Sequence, residues 1–332
     1  MSSLNGRILV TGGAGFIGSA LIHALNKRGI TDIVVTDLLG QDEKWKNLVP
    51  LKFADYIDAG NFRQRLHTQA SAFGKFSAVF HLGACSATTE KNATYLGDNN
   101  YEFTKELAAW TLAQQGRFIY ASSAATYGDG AQGMDDKTAD LHALRPLNMY
   151  GYSKHLFDLY AQRHGFLDQI VGVKYFNVFG PNEDHKADMR SLVNKAYQQI
   201  LVTGRVQLFK SHKPEYKDGE QMRDFLYVKD AVEMTLHFAE KATTSGGLYN
   251  LGSGEANTWL TLARAIFAAL GREPSIEFID MPEVLRGKYQ YFTLADISKL
   301  RATGYTRAMT PLAESVRDYV QGYLATGKKL GD

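Results

Sequence analysis

The sequence predicts an α/β protein: a Rossmann-type doubly wound parallel sheet, followed by a smaller, mixed α/β substrate domain. Three observations predict it. Short apolar runs alternate with helically spaced stretches through the first half. A glycine-rich loop joins the first strand to the first helix. Beyond Gly180-Pro181 the alternation loosens. Composition sets the outer bounds. The 332 residues are 45% hydrophobic and 22% charged, which is ordinary for a globular chain and excludes disorder, collagen and coiled coil. A net charge of +2 provides no global field for nucleic acid or a membrane surface. The single cysteine, Cys85, cannot form an internal disulfide, so a reducing, cytoplasmic location is expected. No apolar run reaches the roughly 18 residues of a membrane span, and the apolar stretch 8–10 lacks the features of a signal peptide.

The elements follow in order. Residues 7–11 (RILVT) read as a buried strand ending in glycines. Residues 16–28 place Ile17, Leu21, Ala24 and Leu25 on one helical face, and Gly29 stops the helix. Further strands are expected at 32–36, 78–81, 117–121 and 170–176, with helices at 62–73, 100–114 and 150–164. Later helices are expected at 189–203, 229–240, 258–270 and 311–324, and an exposed loop at 211–221. The simplest partition is a dinucleotide-binding domain over 1–176, with a returning segment near 225–250, and a mainly substrate-binding domain over 177–332.

The loop Thr11-Gly12-Gly13-Ala14-Gly15-Phe16-Ile17-Gly18 spaces Gly12, Gly15 and Gly18 as a pyrophosphate site requires. Glycine permits the tight turn and close backbone approach, and the helix N-terminus offers unpaired N–H groups. Asp37 ends the second strand, where a ribose-binding acid is expected. Its carboxylate suits the 2′-hydroxyl of NAD, while Lys44 and Lys46 are near enough in sequence to compensate a 2′-phosphate. Those residues leave NAD and NADP both open.

Tyr150 and Lys154 lie four apart on a helix, hence on one face, and an ammonium beside a phenol lowers the phenol's pKa. Ser123 ends a strand upstream, where open α/β sheets bind ligands. Tyr101 and Lys105 share the same spacing without such a serine, and read as a helix surface pair. The nine histidines show no paired spacing with cysteine or acids, so no metal site is expected. Cys85 reads as a small packed residue rather than a nucleophile.

Together, Thr-Gly-x-x-Gly-x-x-Gly, Ser122-Ser123 and Tyr-x-x-x-Lys resemble the extended short-chain dehydrogenase/reductase superfamily. The stretches HLGACS at 81–86, DNNY at 98–101, ASSAATYG at 121–128, PLNMYGYSK at 146–154, YFNVFGP at 175–181, His185-Lys186, Arg223-Asp224-Phe225 and Gly287-Lys288-Tyr289-Gln290 are similar to the ADP-L-glycero-D-manno-heptose 6-epimerase family. The resemblance implies one tightly bound NADP per subunit, rather than NAD, with contacts from Phe16, Ile17, Asp37, Leu38, Lys44, Leu82, Gly83, Ala84, Cys85, Ser86, Asn99, Lys154, Val178 and Lys186. It implies substrate contacts from Asn177, Asp188, Lys195, Phe209, Lys210, Ser211, His212, Arg223 and Tyr289. It also implies a homopentamer and a role in supplying the heptose of the lipopolysaccharide inner core. Several positions depart from the family pattern. Asp188 replaces a serine, Lys195 a histidine, Lys210-Ser211-His212 an acidic-glycine-serine stretch and Ala59 a cofactor lysine, and the loop after His212 is longer.

The implied reaction is epimerisation of ADP-D-glycero-D-manno-heptose at C6 through a transient 6-ketone, with hydride return from the cofactor. Two faces of that ketone require two proton-handling groups, expected to be Tyr150, with its pKa lowered by Lys154 and the nicotinamide charge, and Lys186, while Ser123 holds the reacting oxygen. A sugar-nucleotide 4,6-dehydratase would need carboxylates where Ala124-Ala125 stand. A UDP-hexose 4-epimerase and a non-catalytic dinucleotide sensor are the competing readings.

Overall fold

The computed structural model describes residues 4–286 and 289–332, so Gly287 and Lys288 of the last motif lie outside the described residues. Six strands open the chain: β1 (Ile8–Thr11), β2 (Ile33–Asp37), β3 (Asp55–Asp58), β4 (Ala78–His81), β5 (Arg117–Ser123) and β6 (Val171–Tyr175). Then follow β7 (Asn177–Phe179), β8 (Val206–Phe209), β9 (Met222–Tyr227), β10 (Gly247–Leu251), β11 (Ala256–Thr258) and β12 (Ile276–Ile279). The main sheet has seven strands in the order β10-β6-β5-β4-β1-β2-β3, every pair parallel. Strand order reverses between β1 and β4, and that switch point is where open α/β sheets take ligands.

Helices α1 (Phe16–Lys27), α2 (Ala59–Thr68), α3 (Ala93–Leu96), α4 (Phe103–Ala113), α5 (Met149–Arg163), α6 (Leu192–Thr203), α7 (Val228–Glu240) and α8 (Trp259–Ala269) connect the strands. Side chains on β1 alternate between two cores. Ile8 and Val10 pack with Leu21 of α1 and Met234 of α7, whereas Leu9 packs with Phe62 of α2, Leu107 of α4 and Phe157 of α5. Such two-sided burial is why the strand reads as a continuous apolar run. A three-stranded sheet, β11-β9-β7, and the parallel pair β12-β8 form the smaller, mixed part.

The expected strands and helices of the first half are present, with three differences, the first being that the helix expected over 62–73 is α2, which ends at Thr68, followed by a separate 3₁₀ turn, Ala70–Phe73. Strand β3 (DYID) was not anticipated: it is a partly exposed edge strand without an apolar run. The helix expected over 100–114 opens with a π-turn, Gly97–Glu102, before α4. Later, the helix expected from 189 begins at Leu192, because residues Asp184–Met189 form a separate 3₁₀ turn.

Candidate functional site

The glycine loop brings two strand ends into contact. Gly12 sits at φ +68°, and a Cβ there would lie 2.6 Å from both N and Cα of Gly83. A Cβ on Gly18 would lie 2.1 Å from the Gly12 carbonyl oxygen, so helix α1 packs this close only with glycine. Gly15 caps α1 without a side-chain bond, leaving the first-turn N–H groups for an anion. Thr11, His81 and Thr104 then tie β1, β4 and α4 together. Thr104 donates to the Asn100 carbonyl (2.6 Å), so it accepts from Nε2 of His81 (2.9 Å). Nδ1 of His81 accepts from Thr11 (2.7 Å), whose oxygen accepts from the Gly83 N–H (3.0 Å). Burial, with the Lys154 charge, pushes His81 down to about 3, so the ring stays neutral and the chain of bonds stays intact. Sequence reasoning missed this network, because the His81 bonds join residues 70 and 23 apart in sequence.

Asp37 has both carboxylate oxygens engaged. Oδ2 accepts from the Ala14 N–H (2.9 Å), and Oδ1 from the Leu38 N–H (2.7 Å) and the Lys44 ammonium (3.1 Å). Lys46 turns instead to Glu43 at the surface (2.7 Å), so only one of the two candidate lysines reaches Asp37. A cavity of about 650 Å³ opens here. Its wall includes Gly12, Gly15, Phe16, Ile17, Gly18, Asp37, Lys44, Leu82, Gly83, Ala84, Cys85, Ser86, Ser123, Tyr150, Lys154, Val178 and Lys186. Leu38 is exposed beside it, and Asn99 is off its wall, donating to the Asn100 side chain (3.0 Å). Asn100 bonds both the N–H and the carbonyl of Cys85 (2.9 Å each) and reaches Ser153 on α5 (3.0 Å). The close glycine contacts, the uncapped helix end and the acid on β2 fit a dinucleotide.

Helix α5 carries Tyr150 and Lys154. Asn148 caps it by accepting from the Gly151 N–H (2.8 Å). A Cβ on Gly151 would lie 2.8 Å from the Ala125 carbonyl oxygen, so the first turn of α5 sits directly on the turn after Ser123. Ser123 hydrogen-bonds the Tyr150 phenol. One expectation needs correction. The phenol of Tyr150 is not lowered by Lys154: burial pushes it up, with the Ser123 bond acting against the shift. Burial also pulls Lys154 down to about 8, against the attraction of Asp158, because both groups have been taken out of water. Tyr101 and Lys105 form a separate pair: the ammonium lies 4.7 Å from the Tyr101 ring centre and bonds Glu102 (2.8 Å).

A second cavity of about 620 Å³ adjoins the first, and both are lined by Phe176, Val178, Lys186 and Met189. Asn177, Lys195, Phe209, Trp259 and Tyr289 also line the second. Arg223 is 5% exposed, with its guanidinium 4.9 Å from the Tyr289 ring and 5.6 Å from that of Trp259. It donates to the carbonyls of Met222 (2.8 Å) and Gln290, and meets no carboxylate among the described residues. Arg223 itself is absent from both walls and lies behind Trp259 and Tyr289, which line the second; a buried cation without a carboxylate there suits an anionic ligand. Other expected contacts lie off both walls. Asp188 is exposed, and its carbonyl accepts from Lys195 (3.2 Å). Lys210 pairs with Asp280 (3.3 Å), the Ser211 N–H bonds Asp218 (2.7 Å), and the His212 N–H bonds the Tyr291 hydroxyl (3.1 Å). Among the described residues no group of three or more His, Cys, Asp or Glu is arranged to hold a metal.

Residues 8–252 match the model of the NAD dependent epimerase/dehydratase family. The chain is 52% identical to the ADP-L-glycero-D-manno-heptose-6-epimerase of Nitratidesulfovibrio vulgaris (strain DP4), covering 96% of this chain and 98% of that protein. It is 46% identical to the protein of the same name from Fusobacterium nucleatum, over 96% and 98% of the two chains. Among solved structures, the Helicobacter pylori ADP-L-glycero-D-manno-heptose-6-epimerase superposes with a TM-score of 0.78 at 26% identity, over 96% of both chains. The chain belongs to the NAD dependent epimerase/dehydratase family and, within it, to the ADP-L-glycero-D-manno-heptose-6-epimerases.

Proposed function

We propose that this chain interconverts ADP-D-glycero-D-manno-heptose and ADP-L-glycero-D-manno-heptose at C6, retaining one NADP through the whole cycle. The carrying observation is that Tyr150 and Lys186 line the same dinucleotide cavity and that Lys186 also lines the adjoining one, which supports two proton-handling groups within reach of one substrate carbon. Bound in the first cavity, the dinucleotide supplies reversible hydride acceptance at C6. Tyr150, bonded to Ser123, takes up or returns the proton of the C6 oxygen at one face of the ketone, and Lys186 does so at the other. Proton and hydride are both restored, so there is no net redox change. Lys154 holds the cofactor ribose beside Tyr150. Arg223 holds the diphosphate against Trp259 and Tyr289, Asn177 and Lys195 contact the sugar nucleotide, and Phe209 packs on it. Lys44 neutralises Asp37 at the ribose end, which supports NADP over NAD. Family membership supports a homopentamer in the cytoplasm and a role in lipopolysaccharide inner-core synthesis. No described helix is long and apolar enough to cross a membrane.

Two measurements test the proposal. The mass of the dinucleotide released on denaturation is expected to be that of NADP. Substrate deuterated at C6 is expected to keep its label through epimerisation, and washout to solvent would overturn the hydride-return scheme.

A further inference from the structure

Lys186 sits on a turn that is strained and unusually well anchored. Ala187, next to it, adopts φ 47° and ψ −121°, a backbone region that suits glycine. Strain of that kind persists only where the surroundings over-determine the chain. The Lys186 ammonium forms no salt bridge among the described residues; it lies 5.2 Å from the Phe16 ring centre. The turn is therefore not held by the Lys186 side chain.

The anchors lie just before it. Asn182, buried at φ 76°, donates its amide to Ser19 of α1 (3.0 Å), and its backbone carbonyl accepts from Asn47 (3.1 Å). Asn47 also donates to the Ala14 carbonyl of the glycine loop (3.0 Å). The side-chain oxygen of Asn182 accepts from the Leu330 N–H (3.1 Å), and Leu330 is 1% exposed. Lys329 closes an ion pair on Asp184, which also accepts from Asn194 (2.8 Å). A segment nearly 150 residues downstream, distant from both cavities in sequence and absent from their walls, thus grips the turn on one side while α1 and the glycine loop grip it on the other.

We infer that Asn182, Lys329 and Leu330 are positioning residues, forming a clamp that holds the Lys186 ammonium at the junction of the two cavities. The inference rests on the reading of Lys186 as a proton-handling group. The clamp acts by orientation: it fixes the turn against α1, so that Lys186 meets the substrate oxygen without reorganisation at each turnover.

The test uses the full-length protein with its copurified cofactor. Lys329→Ala removes the ion pair. Asn182→Gly removes the side-chain bonds while tolerating the positive φ. Each is expected to lower kcat about tenfold, leaving KM for the nucleotide sugar nearly unchanged; the melting temperature is expected to hold in Lys329→Ala and to fall in Asn182→Gly, which leaves the buried Leu330 N–H unpaired, and Lys329→Arg is expected to keep wild-type turnover. The decisive arm is the double mutant: in a Lys186→Ala background, neither substitution should lower the residual rate further. A full additional loss in that background, or a raised KM at unchanged kcat, overturns the clamp. A normal kcat in Lys329→Ala and Asn182→Gly, beside a strongly impaired Lys186→Ala, sinks the clamp alone. Wild-type turnover by Lys186→Ala would sink the role of Lys186, and the clamp with it.

Discussion

The Lys186 ammonium lies 5.2 Å from the centre of the Phe16 ring, joining the turn after β7 to the first residue of helix α1. The contact sets a cation from the second half of the chain over the dinucleotide loop. Burial lowers the pKa of Lys186, against the attraction of buried Glu183. Replacing Phe16 by leucine keeps the apolar volume and removes the ring face. The variant is expected to lose several-fold in kcat, consistent with a cation–π contact of about 1 kcal/mol, with folding intact by circular dichroism.

Tyr150→Phe and Lys186→Met are each expected to lose at least about 100-fold in epimerisation rate, the scale of a positioned acid/base. Cofactor content is expected to be unchanged in Tyr150→Phe. Near-wild-type turnover in steady-state assays would remove that residue from the mechanism.

Arg223 is a buried cation with no carboxylate partner among the described residues, so under the proposed role its loss should be felt in binding. Arg223→Ala is expected to raise KM for the nucleotide sugar by roughly 30-fold, about 2 kcal/mol, with a smaller change in kcat. A large fall in kcat at constant KM would place the arginine at the reacting centre instead.

Lys44→Ala removes the ammonium that neutralises Asp37. NADP affinity is expected to fall about tenfold while NAD affinity holds, since only the 2′-phosphate needs the charge. Equal losses for both dinucleotides, measured by titration calorimetry on stripped protein, would contradict the proposed cofactor choice.

Lys154 carries a stability signature. Its folded pKa of about 8 lies below the ordinary lysine value of 10.5, so between those values the unfolded chain binds more protons than the folded one. Burying the charged form costs stability below about pH 8, and that cost is relieved as pH rises toward the unfolded value. Relative to Lys154→Met, the wild-type protein is expected to gain melting temperature between about pH 8 and pH 10. Parallel pH profiles for the two would refute the depressed pKa.

Much of the architecture is legible because its signals are local. The RILVT run, the spacing of Gly12, Gly15 and Gly18, and the four-residue step from Tyr150 to Lys154 each determine a strand, a turn or a helix face within a few residues. Strand β3 escaped because an edge strand needs no apolar run, and the Thr11–His81–Thr104 chain escaped because nothing local marks it. The Lys154 part of the expectation for the Tyr150 phenol is corrected for a related reason. Sequence places the two on one face, but the direction of the shift depends on how much water the fold removes from each.

Residue order alone was enough for the nucleotide-binding fold, the Ser123, Tyr150 and Lys154 set, and the family resemblance. Only the folded chain decided that Lys44 rather than Lys46 reaches Asp37, that Phe209 lines the second cavity while Lys210, Ser211 and His212 turn away, and that Asn182 and Leu330 clasp the turn of Lys186. The physical reason is range. Backbone periodicity and steric permission act over a few residues, whereas these pairings depend on long-range packing that closes loops of up to 148 residues.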